Sequence, residues 1–183
     1  MSSPVDSPSD TDLITRVLLR DDRRAFGVLV SRHQSAVRGL LRRLTGGDLA
    51  QADDLAQETF LRAYRGLSGY RGGAKFSSWL YRIACNVFFS RDRGSRLAEP
   101  EPLPVLEAGA SDVSLPDALL ERYDLERALA SLKPRERAAL VLTYANELTH
   151  EEAAVILDCP LGTLKTHVAR AKEKLRRQLE EVP

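Results

Sequence analysis

The stretch Thr149-His150-Glu151-Glu152-Ala153-Ala154-Val155-Ile156-Leu157-Asp158-Cys159-Pro160-Leu161-Gly162-Thr163-Leu164-Lys165-Thr166 holds a helix start, a short helix, a stop and a second start. Thr149 and Glu152 have the spacing of a capping box, in which the Thr149 hydroxyl accepts from the Glu152 N–H and the Glu152 carboxylate accepts from the Thr149 N–H. Ala153, Ala154, Ile156 and Leu157 give the short helix an apolar face, with small residues that allow close packing. Asp158-Cys159-Pro160 predicts a tight turn, because Pro160 cannot extend the preceding helix. Leu161-Gly162-Thr163 opens a longer helix with Leu164, Val168, Ala171 and Leu175 inward. From Pro160 to Leu179 it carries Lys165, Arg170, Lys172, Lys174, Arg176 and Arg177 against Glu173 alone.

A short helix, a tight turn and a longer basic helix follow the order of a helix-turn-helix. Lys165, Thr166, Ala169 and Arg170 lie outward near the start of the second helix, where a recognition helix reaches base edges. Lys172, Arg176 and Arg177 lie further along and favour phosphates. A helical hairpin with a solvated basic face is the alternative; cap, turn and charge bias together favour the helix-turn-helix.

Upstream, Pro134 suits the first position of a helix, where its missing N–H costs nothing. That helix carries Leu140, Val141, Leu142 and Tyr144 and is expected to end near Asn146, which tolerates the left-handed conformation. Leu120, Tyr123, Ala128, Leu129 and Leu132 pattern one more helix before it. Between Gly94 and Asp117, Pro100, Pro102, Pro104 and Pro116 break helices, while Glu99, Glu101, Glu107 and Asp112 keep the chain solvated. A linker is expected there.

The first half also reads as helix. Leu13, Ile14, Val17 and Leu18 begin a run that Thr11 or Asp12 could cap. Phe26, Leu29, His33, Val37, Leu40, Leu41 and Leu44 continue it at spacings of three and four, and Gly46-Gly47 stops it. His33, on that stripe, is expected to be a satisfied core histidine. Next, Ala52, Leu55, Ala56, Thr59, Phe60, Ala63, Tyr64 and Leu67 form an inward face, with Asp53, Asp54, Gln57, Glu58, Leu61 and Arg65 opposite. A glycine-rich loop around Tyr70 and Arg71 leads to a helix over about Ser77–Arg91, whose core stripe runs through Phe76, Trp79, Leu80, Ile83, Ala84, Val87 and Phe88. Ser78, Tyr81, Arg82, Cys85, Asn86 and Phe89 are expected on its outward face, where rings and planar polar groups beside arginines suit unstacked bases.

The composition excludes several classes. Among 183 residues, 43% are hydrophobic, enough for packed cores. No apolar run approaches the ~18–20 residues that span a bilayer, and Met1 to Asp12 lacks the basic and apolar parts of a signal peptide. A cytoplasmic chain without membrane insertion is expected. Cys85 and Cys159 have no metal-ligand spacing, His33, His150 and His167 lie in separate segments, and no nucleophile elbow or phosphate loop is present. No catalytic residue, metal or cofactor is expected. The net charge of +1 hides a basic Pro160–Leu179 and an acidic Glu99–Glu126.

Leu148-Thr149-His150-Glu151-Glu152-Ala153-Ala154 and Cys159-Pro160-Leu161-Gly162-Thr163-Leu164-Lys165-Thr166-His167-Val168-Ala169-Arg170-Ala171 resemble region 4 of the extracytoplasmic-function sigma factors of the sigma-70 family. Asp53-Asp54-Leu55-Ala56-Gln57-Glu58-Thr59-Phe60 resembles the polymerase-binding part of region 2. Tyr70-Arg71-Gly72 with Phe76-Ser77-Ser78-Trp79-Leu80-Tyr81-Arg82-Ile83-Ala84-Cys85-Asn86 resembles its promoter-melting part. Asn146 stands where a glycine is common in that family, and His150 where Tyr or Ser is.

The resemblance implies an all-α chain of two small helical domains joined by a flexible Pro/acidic linker. Its expected parts are a disordered tail at 1–11, a region 2 domain at 12–93, a linker at 94–116 and a helix-turn-helix domain at 117–183. It implies that Asp53, Asp54, Gln57, Glu58 and Leu61 bind the clamp helices of the largest subunit of core RNA polymerase, with the flap of the second subunit as a further contact. It implies a minus-10 surface of Tyr70, Arg71, Lys75, Ser78, Tyr81, Arg82, Asn86 and Phe89, where the loop holds an extruded base and Asn86 contacts another. Thr163, Lys165, Thr166, His167, Ala169, Arg170 and Lys172 then meet promoter DNA at the minus-35 element. In relatives the linker threads the RNA path, and an anti-sigma protein is the expected regulator. Rival readings are a plain helix-turn-helix regulator, which needs no polymerase face, and a helical enzyme.

Overall fold

The computed structural model describes residues 7–97 and 125–180, with the backbone alone at 92–97 and 179–180. Every regular element among them is helical. Helix α1 runs Asp10–Arg20, α2 Arg23–Leu44, α3 Leu49–Gly66 and α4 Phe76–Leu97, with a 3-10 turn at Leu67–Gly69. Residues 125–130 form α5, followed by α6 at Pro134–Leu140 with a π turn at Val141–Ala145, α7 at His150–Ile156 and α8 at Leu161–Glu180.

The first helix starts earlier than the sequence pattern indicates. Ser9, not Thr11 or Asp12, is the cap, and Asp12 closes the box by accepting from the Ser9 N–H at 3.0 Å. The apolar run to Gly46 is also broken in two. Asp21 takes a left-handed φ of 46°, and Asp22 caps α2 by accepting from the Ala25 N–H at 3.1 Å. The break folds α1 back along α2, burying Leu13, Ile14 and Val17 while Leu18 stays about half exposed. His33 is satisfied as expected, 2.7 Å from the Asp10 carboxylate.

Helix α2 packs on α1, α3 and α4, and the core of this domain lies among Leu29, Leu40, Leu41, Leu44, Leu55 and Leu80. Each such leucine is worth roughly 1.5–3 kcal/mol of burial. Helix α4 continues to Leu97, past the boundary expected at 93. The expected tail gives way to helix at Asp10; residues 98–116 of the linker and 117–124 of the last domain lie outside the described residues.

The C-terminal domain follows its punctuation closely. Pro134 occupies the first turn of α6. Thr149 and Glu152 form the capping box, at 3.2 Å and 2.9 Å. Asp158 takes a left-handed φ of 50° in the turn before α8. Asn146 departs from expectation: its φ is −107°, and Glu147 carries the left-handed φ of 53°. The π turn accounts for the one-residue displacement, since its final bond runs from the Asn146 N–H to the Val141 carbonyl.

The two domains touch. Helix α7 lies against α4, and α6 with its π turn lies against α2.

Candidate functional site

The outer face of α3 presents Asp53, Asp54, Gln57 and Leu61 to solvent, with Glu58 half-buried. Asp53 pairs with Arg38 at 3.1 Å, Asp54 with Arg91 at 4.0 Å and Glu58 with Arg62 at 2.7 Å. These are exposed pairs of small individual worth. Beside them α2 and α3 enclose an apolar groove of about 480 Å³ lined by Phe26, Val30, Phe60, Leu61 and Tyr64. Phe60 and Tyr64, expected inward, are half-buried on this groove instead. Tyr64 meets Phe26 edge-on at 4.9 Å, and its hydroxyl donates to Asp21 at 2.6 Å. The groove was hidden in the sequence because its second wall comes from α2, whose stripe reads as ordinary core.

A second surface is built from the 70–75 loop and α4. The Tyr70 hydroxyl donates to the Ala74 carbonyl at 2.6 Å, and Gly72 takes a φ of 72°. Tyr70, Phe76 and Trp79 lie within 5.5 Å of one another, which ties the loop to the helix. Arg71 and Lys75 project from the loop; Arg82 and Asn86 are exposed on α4, with Ser78 and Phe89 half-buried. Tyr81 and Cys85, expected on this outward face, are buried at 9% and 0% exposure. Helix α4 packs against α2, α3 and α7, so more than one stripe of it is covered.

The third surface is α8. Thr163, Lys165, Thr166, Ala169, Arg170 and Lys172 are exposed, while Leu164, Val168 and Ala171 are buried. The Thr166 hydroxyl donates to the Gly162 carbonyl at 2.9 Å, leaving its lone pairs outward. Lys172 lies 4.4 Å over the Tyr144 ring. Further along, Glu173 pairs with Arg176 at 2.9 Å and Arg177 at 3.1 Å, and Lys174 binds the buried Glu136 at 2.6 Å. The cations nearest the helix start are therefore the ones left for a partner to use.

His167 differs from its neighbours on α8. It is half-buried, and its buried Nδ1 has no hydrogen bond among the described residues. Burial holds its pKa below the ordinary 6.5; Glu136 opposes that shift, and Arg135 and Arg170 reinforce it. That lowering favours the neutral ring over the imidazolium. A folded-state pKa below the unfolded value stabilises above pH 6.5 and loses that stability as pH falls through the lower value. His167→Gln should therefore flatten the fall in urea midpoint between about pH 7.5 and about pH 5.5.

No helix among the described residues is long and apolar enough to cross a membrane, and none of their His, Cys, Asp or Glu clusters suits a metal.

The family model of Sigma-70 region 2 matches residues 29–96, and that of Sigma-70 region 4 matches residues 122–175. The chain is 33% identical to the RNA polymerase sigma-H factor of Pseudomonas aeruginosa, over 93% of this chain and 94% of that protein. It is 33% identical to the ECF RNA polymerase sigma-E factor of Haemophilus influenzae, over 94% and 96%. Among solved structures it is similar to CnrH in complex with the cytosolic domain of CnrY, with TM-score 0.70 and 25% identity over 95% of this chain and 99% of that one. It is also similar to the sigma factor RpoE bound to the anti-sigma factor NepR from Bartonella quintana, with TM-score 0.65 and 26% identity over 86% and 98%. The chain belongs to the sigma-70 family, as a sigma factor of the extracytoplasmic-function type.

Proposed function

We propose how the surfaces divide the work of this sigma factor. The α3 face with Asp53, Asp54, Gln57, Glu58 and Leu61, continued by the apolar groove, docks on the clamp helices of the largest polymerase subunit. Acidic groups speed the encounter, and the groove supplies the buried contact. The 70–75 loop and α4 take the minus-10 element as single strand, where stacking on a ring returns about 1–3 kcal/mol per base, comparable with the cost of unstacking. Helix α8 reads the minus-35 duplex through Lys165, Thr166 and Arg170, and its domain meets the flap of the second subunit.

The observation carrying this reading is the pairing of two surfaces in one chain: an aromatic and basic loop suited to unstacked bases, and a helix-turn-helix with its outward face exposed. The chain acts by binding, in the cytoplasm. Cys85 is fully buried and its thiol is pushed up to about 12 by that burial, so it is no nucleophile. The relatives solved with CnrY and NepR support an anti-sigma protein as regulator here too.

Run-off transcription of fragmented bacterial genomic DNA by core polymerase, with and without this chain, tests the whole reading. Discrete transcripts sharing an upstream motif are expected; none, from a core active with another sigma, counts against it. Asp54→Ala with Leu61→Ala should weaken polymerase binding about tenfold, as the loss of one modest hot spot does. Normal affinity in a fluorescence titration would remove the docking proposal.

A further inference from the structure

Residues 71–75 are all exposed, so packing does little to aim the loop they form. The bond from the Tyr70 hydroxyl to the Ala74 carbonyl closes the loop on itself without fixing its direction. That direction is inherited from the two feet of the loop. At the first, the Tyr70 N–H donates to the Leu67 carbonyl at 3.0 Å, in the 3-10 turn that rests on α1. At the second, Phe76 is 4% exposed and meets the His33 ring edge-on, with ring centroids 5.3 Å apart.

One carboxylate stands behind both feet. Asp10, the first residue of α1, lies 2.7 Å from His33 Nε2 and accepts from the Arg32 guanidinium at 3.0 Å. Burial raises the pKa of Tyr70 above its ordinary value, and the charge of Asp10 adds to that rise, so the carboxylate is within electrostatic reach of the first foot as well. The Ser9 cap fixes where α1 begins, and hence where Asp10 stands. His33 is 18% exposed, so the contact that orients its ring is largely shielded from competing water. Held by Asp10, the ring keeps one edge on Phe76. Released, it can turn about its Cβ–Cγ bond, which has no steep rotameric wells, and withdraw that edge.

We infer that Asp10 and His33 are positioning residues for the minus-10 loop: their contact, passed on through Phe76, sharpens the choice of base that the loop makes. This rests on the minus-10 assignment proposed above. Both residues act from behind the loop, so their loss alters the choice among bases more than the strength of binding.

The test uses the holoenzyme of core polymerase and the full-length chain on a promoter fragment with a premelted bubble, so that base choice is read apart from melting. Each position of the bubble is varied through the four bases, and affinity is followed by fluorescence anisotropy. At the position of strongest choice, Asp10→Ala should cut the preference for the best base about fivefold, the change that about 1 kcal/mol produces. Asp10→Glu keeps the carboxylate and should recover most of that preference. His33→Gln takes the ring away from Phe76 and should cost about as much. Joined to Asp10→Ala it should add nothing, because both act through one link. Trp79 is the only tryptophan of the chain, and its ring centroid lies 5.5 Å from those of Tyr70 and Phe76. Acrylamide quenching of Trp79 in the free variants should therefore rise alongside. An unchanged preference in folded Asp10→Ala, where Tyr70→Ala has lost it, overturns the positioning role and leaves the minus-10 assignment standing. A preference that survives Tyr70→Ala too moves base choice off the loop, and the assignment fails together with the inference. Binding that weakens equally for all four bases overturns the positioning role as well, since a merely loosened domain would give that result.

Discussion

Lys165→Ala combined with Arg170→Ala should lower transcription from the chain's own promoters by on the order of 100-fold, with polymerase affinity unchanged. Each good contact to a base edge is worth about 1–3 kcal/mol, and the factor corresponds to losing two modest ones. Both side chains are exposed on the outward face of α8, while Leu164, Val168 and Ala171 hold the helix from the other side. Truncation therefore removes contacts without opening the core, and the thermal midpoint should hardly move. Arg176→Ala is the control: its guanidinium already pairs with Glu173 at 2.9 Å, so the change should cost little. Run-off transcription from a promoter found with the wild-type chain measures the first effect, and a fluorescence titration with core polymerase the second. Undiminished selectivity in the double variant would move minus-35 reading off this face of α8.

The helix-turn-helix was legible because each of its decisions is local. A Thr and a Glu three residues apart start α7, an Asp before Cys159-Pro160 closes it, and the four-residue spacing of Leu164 and Val168 sets the buried face of α8. Such signals act within one turn of backbone, where residue type alone decides. The fold class and the α3 surface were legible for the same reason. The break at Asp21-Asp22 was written just as locally, but apolar residues on both sides of it keep helical spacing, so periodicity runs across it. Tyr81 and Cys85 were misplaced for a different reason. A stripe predicts one buried face, whereas α4 has neighbours on several sides. The packing of α7 against α4 and the 70–75 loop leaves no periodic trace at all. It is made by exposed polar residues such as Asp158 and Arg82, far apart in sequence, whose pairing only the folded chain displays.

Arg137→Ala should be the most damaging single change, costing about 3–5 kcal/mol against a total stability of about 5–15 kcal/mol. Arg137 is 9% exposed and its guanidinium serves three carbonyls: Leu44, Ala130 at 2.7 Å and Leu132 at 3.1 Å. Two of these end helices, since Leu44 is the last residue of α2 and residue 130 the last of α5. Carbonyls there have no partner within their own helix and sit at the negative end of its dipole. One buried cation thus closes two helix ends from different domains, and alanine leaves their carbonyls facing a cavity. In urea, helix content followed by circular dichroism should fall early, as the C-terminal domain unfolds first. Trp79 emission should shift before the first domain melts, because its cover has gone. Arg137→Lys distinguishes charge from geometry. An ammonium keeps the cation but cannot extend a planar fork toward three acceptors, so lysine should recover less than half of the loss. Full recovery by lysine would mean that charge alone holds the two helix ends together. A loss below about 1 kcal/mol in Arg137→Ala would mean that water replaces the guanidinium at little cost, leaving the ion pair of Arg42 and Glu126 to carry the junction.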